Sequence, residues 1–365
     1  MLNFAPTEEQ EEIRNLAQSL AKEHLRPQGR AAERAACVPA DLAHTLARTG
    51  LTSPFPEEFG GSGSFEAITY VLIAEELGAG DGAIALSVPG SLMGPLTVLL
   101  AGNEQQRRMY LPPFCDEHSS HTRQGSLAFA ERTGGYSVDE ITTSVHREGD
   151  SFVLNGTKRD VIYGAQSSPR VILARLQGEQ GPASLCALLL PDDTPGLSIT
   201  PDTQKLGLRA VPSAAYTLEH ACVPSSQLLG EAGNPGALRA ATLYQILRAA
   251  VACGMARAGL EYAADYARQR IAFGRPIVSY QGIAFLFSEM AMKLDAARLY
   301  LWRAASCWDS GTVSATLVQQ ARAAHHQAIK IAQAATIDTI QILGGAGFIQ
   351  DHPAEMWMRN AAAMD

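Results

Sequence analysis

The sequence predicts an α+β protein built from a helical block, a block of short strands and a second helical block. Three observations carry this. Apolar residues recur at helical spacing in residues 1–122 and 229–365. Between them, residues 123–228 change to short apolar segments flanked by Gly, Pro, Asp and Asn, and helix breakers are confined to a few places. At 365 residues the chain exceeds what one core usually serves, so these three blocks are expected to be domains.

In the first block, Thr7 and Gln10 form a capping box, and Ile13, Leu16, Ala17 and Leu20 follow at helical spacing. A second helix is expected from Phe65 to Leu77, stopping at Gly78. The stretch Pro54 to Gly63 is turn-rich. Pro89, Gly90, Gly94 and Pro95 predict an irregular turn within Leu86–Leu100, with Leu92 and Met93 as core or pocket residues. In the middle block, Ser126–Ala130, Ser151–Leu154, Arg170–Ala174, Ser184–Leu190 and Ala215–Glu219 read as strands of an antiparallel sandwich or barrel. The last block reads as long helices broken at Phe273-Gly274-Arg275-Pro276, at Asp309-Ser310-Gly311 and at Gly344-Gly345-Ala346-Gly347.

Composition narrows the function classes. The net charge is 29 − 37 = −8, which argues against a nucleic-acid binder that needs a basic stripe. Charged residues are only 18%, against ~25% in ordinary soluble domains, so part of the surface is expected to be covered by another subunit. No uninterrupted apolar run approaches the ~18 residues of a membrane span. Cys37, Cys115, Cys186, Cys222, Cys253 and Cys307 are scattered, which predicts free thiols in a cytoplasmic protein and no metal site. His325 and His326 are adjacent on a helix and cannot form an i,i+4 metal pair.

Six ordered motifs then point to one family. They are Pro56-Glu57-Glu58-Phe59-Gly60-Gly61, Asn155-Gly156-Thr157-Lys158, Leu206-Gly207-Leu208-Arg209 and Arg270-Ile271-Ala272-Phe273-Gly274-Arg275-Pro276 with Gln281. Gln341 through Gly347-Phe348 and Arg359-Asn360-Ala361 complete the set. Together they resemble the acyl-CoA dehydrogenase family over nearly the whole chain. The resemblance implies an all-α N-terminal domain, a middle antiparallel β domain and a C-terminal four-helix bundle. It implies FAD, an acyl-CoA or acyl-carrier thioester as substrate, an acceptor of the electron-transfer flavoprotein type, and a homo- or hetero-oligomer. The implied reaction removes an α-proton with a carboxylate while the β-hydrogen leaves as hydride to the flavin.

In this family the flavin site is shared between subunits. The share that grips the nucleotide end is matched by Arg270, Phe273, Gln281, Gln341, Gly344 and Gly345. The ring-side positions are matched by Phe129, Ala130, Asp160 and Ile162. Here the family's stretch Thr-Glu-Pro-Gly-x-Gly-Ser-Asp reads Ala130-Glu131-Arg132-Thr133-Gly134-Gly135-Tyr136-Ser137. Ala130 lacks the threonine hydroxyl, Tyr136 replaces a serine, Asp160 an aromatic and Ile162 a threonine. An ionised Asp160 against a flavin edge would raise the cost of burial. The catalytic glutamate is not in view: one family position falls beyond Asp365, and the other falls on Tyr244, beside Gln245. Tyr244 reads first as core filler, and Asp365 is the nearest carboxylate. Three readings follow: a flavin-dependent acyl-CoA dehydrogenase, a subunit lending its nucleotide-binding half to a partner's flavin, or a flavin-free acyl-CoA-binding protein.

Overall fold

The computed structural model describes residues 5–63, 65–116, 118–131, 135–179, 181 and 184–365. The N-terminal part contains α1 (Glu8–Leu20), α2 (Arg26–Ala35), α3 (Ala40–Arg48), α4 (Ala67–Gly80), α5 (Gly82–Ala101) and α6 (Glu104–Tyr110). The Thr7–Gln10 capping box forms as expected. The second helix does not stop at Gly78. It runs on to Gly80, because Gly78 is a packing residue: a Cβ there would lie 2.6 Å from the Val251 carbonyl oxygen.

Leu86–Leu100 is not an irregular turn either. Both prolines lie inside α5, an unbroken helix of 20 residues. Proline leaves the carbonyl four residues earlier without a partner, and the Ser91 carbonyl, orphaned by Pro95, accepts from the Gly125 N–H at 2.9 Å. Gly90 and Gly94 let α5 approach Ile162 and the Ser126 backbone. This helix is also long and apolar enough to cross a membrane, at a mean hydropathy of 1.7, although Ser87, Ser91 and Thr97 interrupt every apolar run. It packs against α4, the long C-terminal helix and the β domain, and 78% of that window is buried, so it is a core helix.

The middle part holds β1 (Ser126–Ala128), β2 (Ser144–Glu148), β3 (Ser151–Ile162), β4 (Arg170–Leu176), β5 (Leu185–Leu189), β6 (Leu197–Pro201) and β7 (Ser213–Pro224). They form one sheet in the order β1-β4-β2-β3-β7-β6, with β5 on the other edge of β4. The antiparallel expectation holds for β2–β3, β3–β7, β4–β5 and β6–β7 but fails for β1–β4 and β2–β4, which are parallel. The β3–β7 ladder slips between Lys158 and Val161, and this bulge puts Asp160 at φ 52°.

The last part comprises α7 (Pro235–Gln269), a short hairpin of β8 (Ile271–Ala272) and β9 (Arg275–Pro276), α8 (Gln281–Asp309), α9 (Ala315–Leu343) and α10 (Ala354–Ala362). All three expected breaks occur. The helix α7 is buried along most of its length and packs against α4, α5, α8 and α9, so it joins the two helical parts. Its crossing with α4 is backbone-close: a Cβ on Gly254 would lie 2.2 Å from the Glu75 carbonyl oxygen. Beside it, Arg257 forks onto Glu76 at 2.9 and 2.5 Å, and Arg298 Nε donates to Glu75 at 2.7 Å. Gly254→Ala is therefore expected to cost about 1–3 kcal/mol net of its better helix propensity. Urea unfolding checks this; an unchanged midpoint would show that the two helices can part at no cost.

Candidate active site

The site is built on a buried ion pair. Lys158 Nζ on β3 lies 2.8 Å from Glu131 Oε1 and donates to the Phe129 carbonyl at 3.1 Å. The other Glu131 lone pairs accept from the backbone N–H and hydroxyl groups of Thr142 and Thr143, at 2.5 to 3.0 Å. Burial alone would raise the Glu131 carboxyl, but the Lys158 charge and these hydrogen bonds hold it down at about 2. Burial pushes Lys158 down to about 8 against the pull of Glu131, so both groups are charged at neutral pH. The pair fixes the end of β1 against β3, and so sets the four ring-side positions.

Those positions divide: Phe129 and Ala130 are packed in the interior, while Asp160 and Ile162 border a cavity. Phe129 is buried with its ring edge-on to Tyr136 at 5.7 Å, and Ala130 is buried. Ile162 presses its Cγ2 towards α5 at Gly90. Asp160 is turned outwards, its side chain 49% exposed and 3.4 Å from Arg159, so the burial cost expected for its charge does not arise. Tyr136, 5% exposed, fills the middle. Its hydroxyl donates to the Asp160 carbonyl at 3.3 Å and its carbonyl accepts from Gln245 at 2.5 Å. Tyr244 and His325 meet its ring edge-on at 5.5 and 5.8 Å, and the Arg248 guanidinium lies 3.7 Å over its face. Arg132, Thr133 and Gly134 of the same motif lie outside the described residues.

Two cavities flank Tyr136. One, of about 610 Å³, lies between the end of β3, the 205–213 loop, α7 and α10. The other, of about 720 Å³, lies between Ser137, Gln245 and α9. The 205–213 loop is held to α10 by the Leu208 N–H, which donates to Asn360 at 2.7 Å, and Gly207 packs on the Arg359 carbonyl where no Cβ would fit. Asp365 lines both cavities. Tyr244 does not suit a general base: burial, opposed by Arg248, raises its phenol above the ordinary value and keeps it protonated.

The nucleotide-side positions lie elsewhere. Arg270, Phe273, Gln281, Gln341, Gly344 and Gly345 are all exposed, Phe273 at 97%. They fall where α7 ends, α8 begins and α9 ends, which is one end of the antiparallel bundle. A Cβ added to Gly344 or Gly345 meets nothing of this chain, so the close approach expected of these glycines is not to the chain itself. From Gln245 to Arg270 is 25 residues of α7, about 38 Å at 1.5 Å per residue. No single dinucleotide bridges that gap, so the two sets of positions in one chain cannot serve the same cofactor.

Sequence reasoning missed Arg248 and His325. Arg248 sits four residues after Tyr244 and so shares its helix face, a signal that was available. His325 stood out only as half of an adjacent pair unable to hold a metal, and nothing local tied this residue of α9 to Tyr244.

Three matches cover the chain: the N-terminal domain of acyl-CoA dehydrogenase over residues 7–118, its middle domain over 126–221 and its C-terminal domain over 232–365. The chain is 33% identical to a probable acyl-CoA dehydrogenase, YngJ, of Bacillus subtilis, across 100% of this chain and 95% of the relative. The structure of butyryl-CoA dehydrogenase from Megasphaera elsdenii superposes with a TM-score of 0.84 at 26% identity, covering 100% and 95% of the two chains. A glutaryl-CoA dehydrogenase from Mycobacterium smegmatis, solved in complex with FADH2, shares the fold at a TM-score of 0.82 and 22% identity, covering 98% and 90%. The fold and the ordered domains define a helical–β–helical oxidoreductase, and the chain belongs to the acyl-CoA dehydrogenase family. It is an oxidoreductase of the acyl-CoA dehydrogenase type, a class of flavoproteins acting on CH–CH bonds.

Proposed function

We propose that this chain is a subunit of an assembly that desaturates an acyl thioester between Cα and Cβ, and that it completes the FAD site of a partner subunit. The observation that carries this reading is Tyr136. Its buried ring, edge-packed on three sides and capped by Arg248, occupies the place where the resemblance puts the cofactor's ring-proximal phosphates, while Ala130 and Ile162 offer no hydroxyl to the ring. The residues present do not fit a flavin ring there.

The other half of the site fits. Arg270 is a charged, bidentate-capable donor for a pyrophosphate, Gln281 and Gln341 are exposed amides, and Gly344 and Gly345 leave open space for a cofactor held from the far side. The exposed apolar side chains Ile271, Phe273, Phe285 and Phe348 around them are what a subunit contact would cover. The acyl group arrives as a CoA or carrier thioester, and the assembly passes electrons to an acceptor of the electron-transfer flavoprotein type. The reading places the assembly in the cytoplasm, in keeping with six free thiols.

The visible spectrum tests this. The chain purified alone is expected to be colourless. Co-expressed with a homologue carrying threonine and serine at the positions of Ala130 and Tyr136, it is expected to yield one flavin per pair of subunits, bleached by acyl-CoA. Arg270→Ala on this chain is expected to lower that occupancy. Stoichiometric FAD on the chain alone after gel filtration would overturn the reading in favour of a self-sufficient dehydrogenase.

A further inference from the structure

The 610 Å³ cavity keeps a chemistry that the changes at the ring-side positions do not explain. Arg248 on α7 lines it and is 2% exposed, yet among the described residues no carboxylate lies within ion-pair distance of its guanidinium. Among the described residues the other buried cations have one: Lys158 has Glu131 and Arg170 has Asp192, as do the half-buried Arg257 with Glu76 and Arg298 with Glu75. What Arg248 has is the face of Tyr136 at 3.7 Å, the Tyr244 ring at 5.7 Å, the Met364 carbonyl at 2.6 Å from Nη2, and His325 Nε2 at 3.4 Å from Nε. That histidine is held neutral by its surroundings and by the Arg248 charge, so it accepts and adds no negative charge. A buried cation balanced only by dipoles and π faces keeps most of its positive field for whatever enters beside it.

Lys205 stands on the 205–213 loop that forms another wall. Its ammonium donates to the Val211 carbonyl, and it too has no carboxylate within ion-pair distance among the described residues. The remaining charges of the lining are largely spent on one another. Arg159 faces Asp160 and Arg359 is held by Glu33 and Glu355, while Asp202 and Asp160 act on Lys205 from beyond ion-pair distance and Asp365 stands in the lining. The rest of the wall is apolar, formed by Leu86, Ile162, Leu208, Val211 and Met358.

We propose that this cavity binds an organic monoanion with an apolar body, its carboxylate held by Arg248 and Lys205 and its hydrocarbon laid against the apolar wall. The volume lies in the range of small-ligand sites, and two cations lining one cleft beside an apolar wall recognise a carboxylate rather than a neutral amide. The site is non-covalent and performs no chemistry of its own. It rests on the same reading of Tyr136 as the proposed function, since a flavin seated beside Asp160 and Ile162 would take this space. Its test needs neither flavin nor a second subunit, so the two readings fail separately.

The probe is octanoate, compared with octanamide as its neutral isostere, by isothermal titration calorimetry on the full chain purified without added flavin. Octanoate is expected to bind about tenfold or more tightly than octanamide, as a charge-assisted hydrogen bond requires. Arg248→Met and Lys205→Met are each expected to shrink that ratio towards one, and Arg248→Lys to keep part of it. If Arg248→Met fails to fold, the Lys205→Met chain and the octanoate/octanamide ratio of the unmodified chain still decide. Equal affinity for the two probes, no octanoate binding at millimolar concentration, or a ratio unmoved by either methionine variant would overturn the proposal. A purely structural Arg248, placed to cap Tyr136, predicts those outcomes.

Discussion

Lys158→Met is expected to lower the unfolding free energy by about 3–5 kcal/mol, because it strands the Glu131 carboxylate in a buried site without its counter-charge. Glu131→Gln should cost a similar amount, leaving the ammonium with little beyond the Phe129 carbonyl. Thr142→Val, which removes one hydroxyl donor, should cost nearer 1 kcal/mol. A matched control is the exposed i,i+4 pair Lys293–Glu289, whose Lys293→Met change should stay within about 0.5 kcal/mol. Urea unfolding of the four variants at neutral pH ranks them. A Lys158→Met chain as stable as the Lys293→Met chain would mean that the β1–β3 junction does not need the pair.

The same pair shapes the acid limb of stability. The Glu131 carboxyl titrates lower in the folded chain, at about 2, than its ordinary value of 4.5, so the unfolded state takes up the proton first. Its stabilisation is therefore complete above pH 4.5 and is lost as the pH falls from there towards 2. In Lys158→Met the charge that holds the carboxyl down is gone, so the variant should show a shallower loss over that interval. Urea midpoints measured across it separate the two curves; parallel curves would assign the acid limb to other groups.

How much of this was legible in the sequence depended on whether the signal was local. Gly274, Gly311 and Gly344 break helices through their own backbone freedom, each at positive φ, and the three breaks were readable. Segment β2 has the sequence Ser-Val-His-Arg-Glu and β6 Leu-Ser-Ile-Thr-Pro, both largely unburied, so neither carries the apolar run that marks a strand, and both were missed. Pro89 and Pro95 misled because the partner of the orphaned Ser91 carbonyl, Gly125, belongs to another domain. The site followed the same rule. The departures at Ala130, Tyr136, Asp160 and Ile162 stood out within their motifs, but their consequence did not. Tyr136, Arg248 and His325 meet only because the start of the β domain, α7 and α9 converge, and that convergence is tertiary.

Tyr136→Ser tests that convergence and the functional reading together. It removes a buried ring from three edge contacts and from beneath a guanidinium, and it joins the two flanking cavities. The truncation should cost about 3–5 kcal/mol of stability, as for other buried aromatics. Excess FAD should then act differently on the two proteins. In the unmodified chain Tyr136 fills the place of the ring-proximal phosphates, so its urea midpoint should not move. In the variant, a second copy can supply Arg270 and Gln341 while the first now has space between Ala130 and Gln245. FAD at a hundredfold excess over its dissociation constant would return about 2.7 kcal/mol by mass action. A midpoint that FAD raises equally in both proteins would show that Tyr136 moves aside unaided, and this chain would then be a flavin holder in its own right. A midpoint that rises in the variant alone would place the block on one side chain, with the rest of the family's cofactor groove still in working order around it.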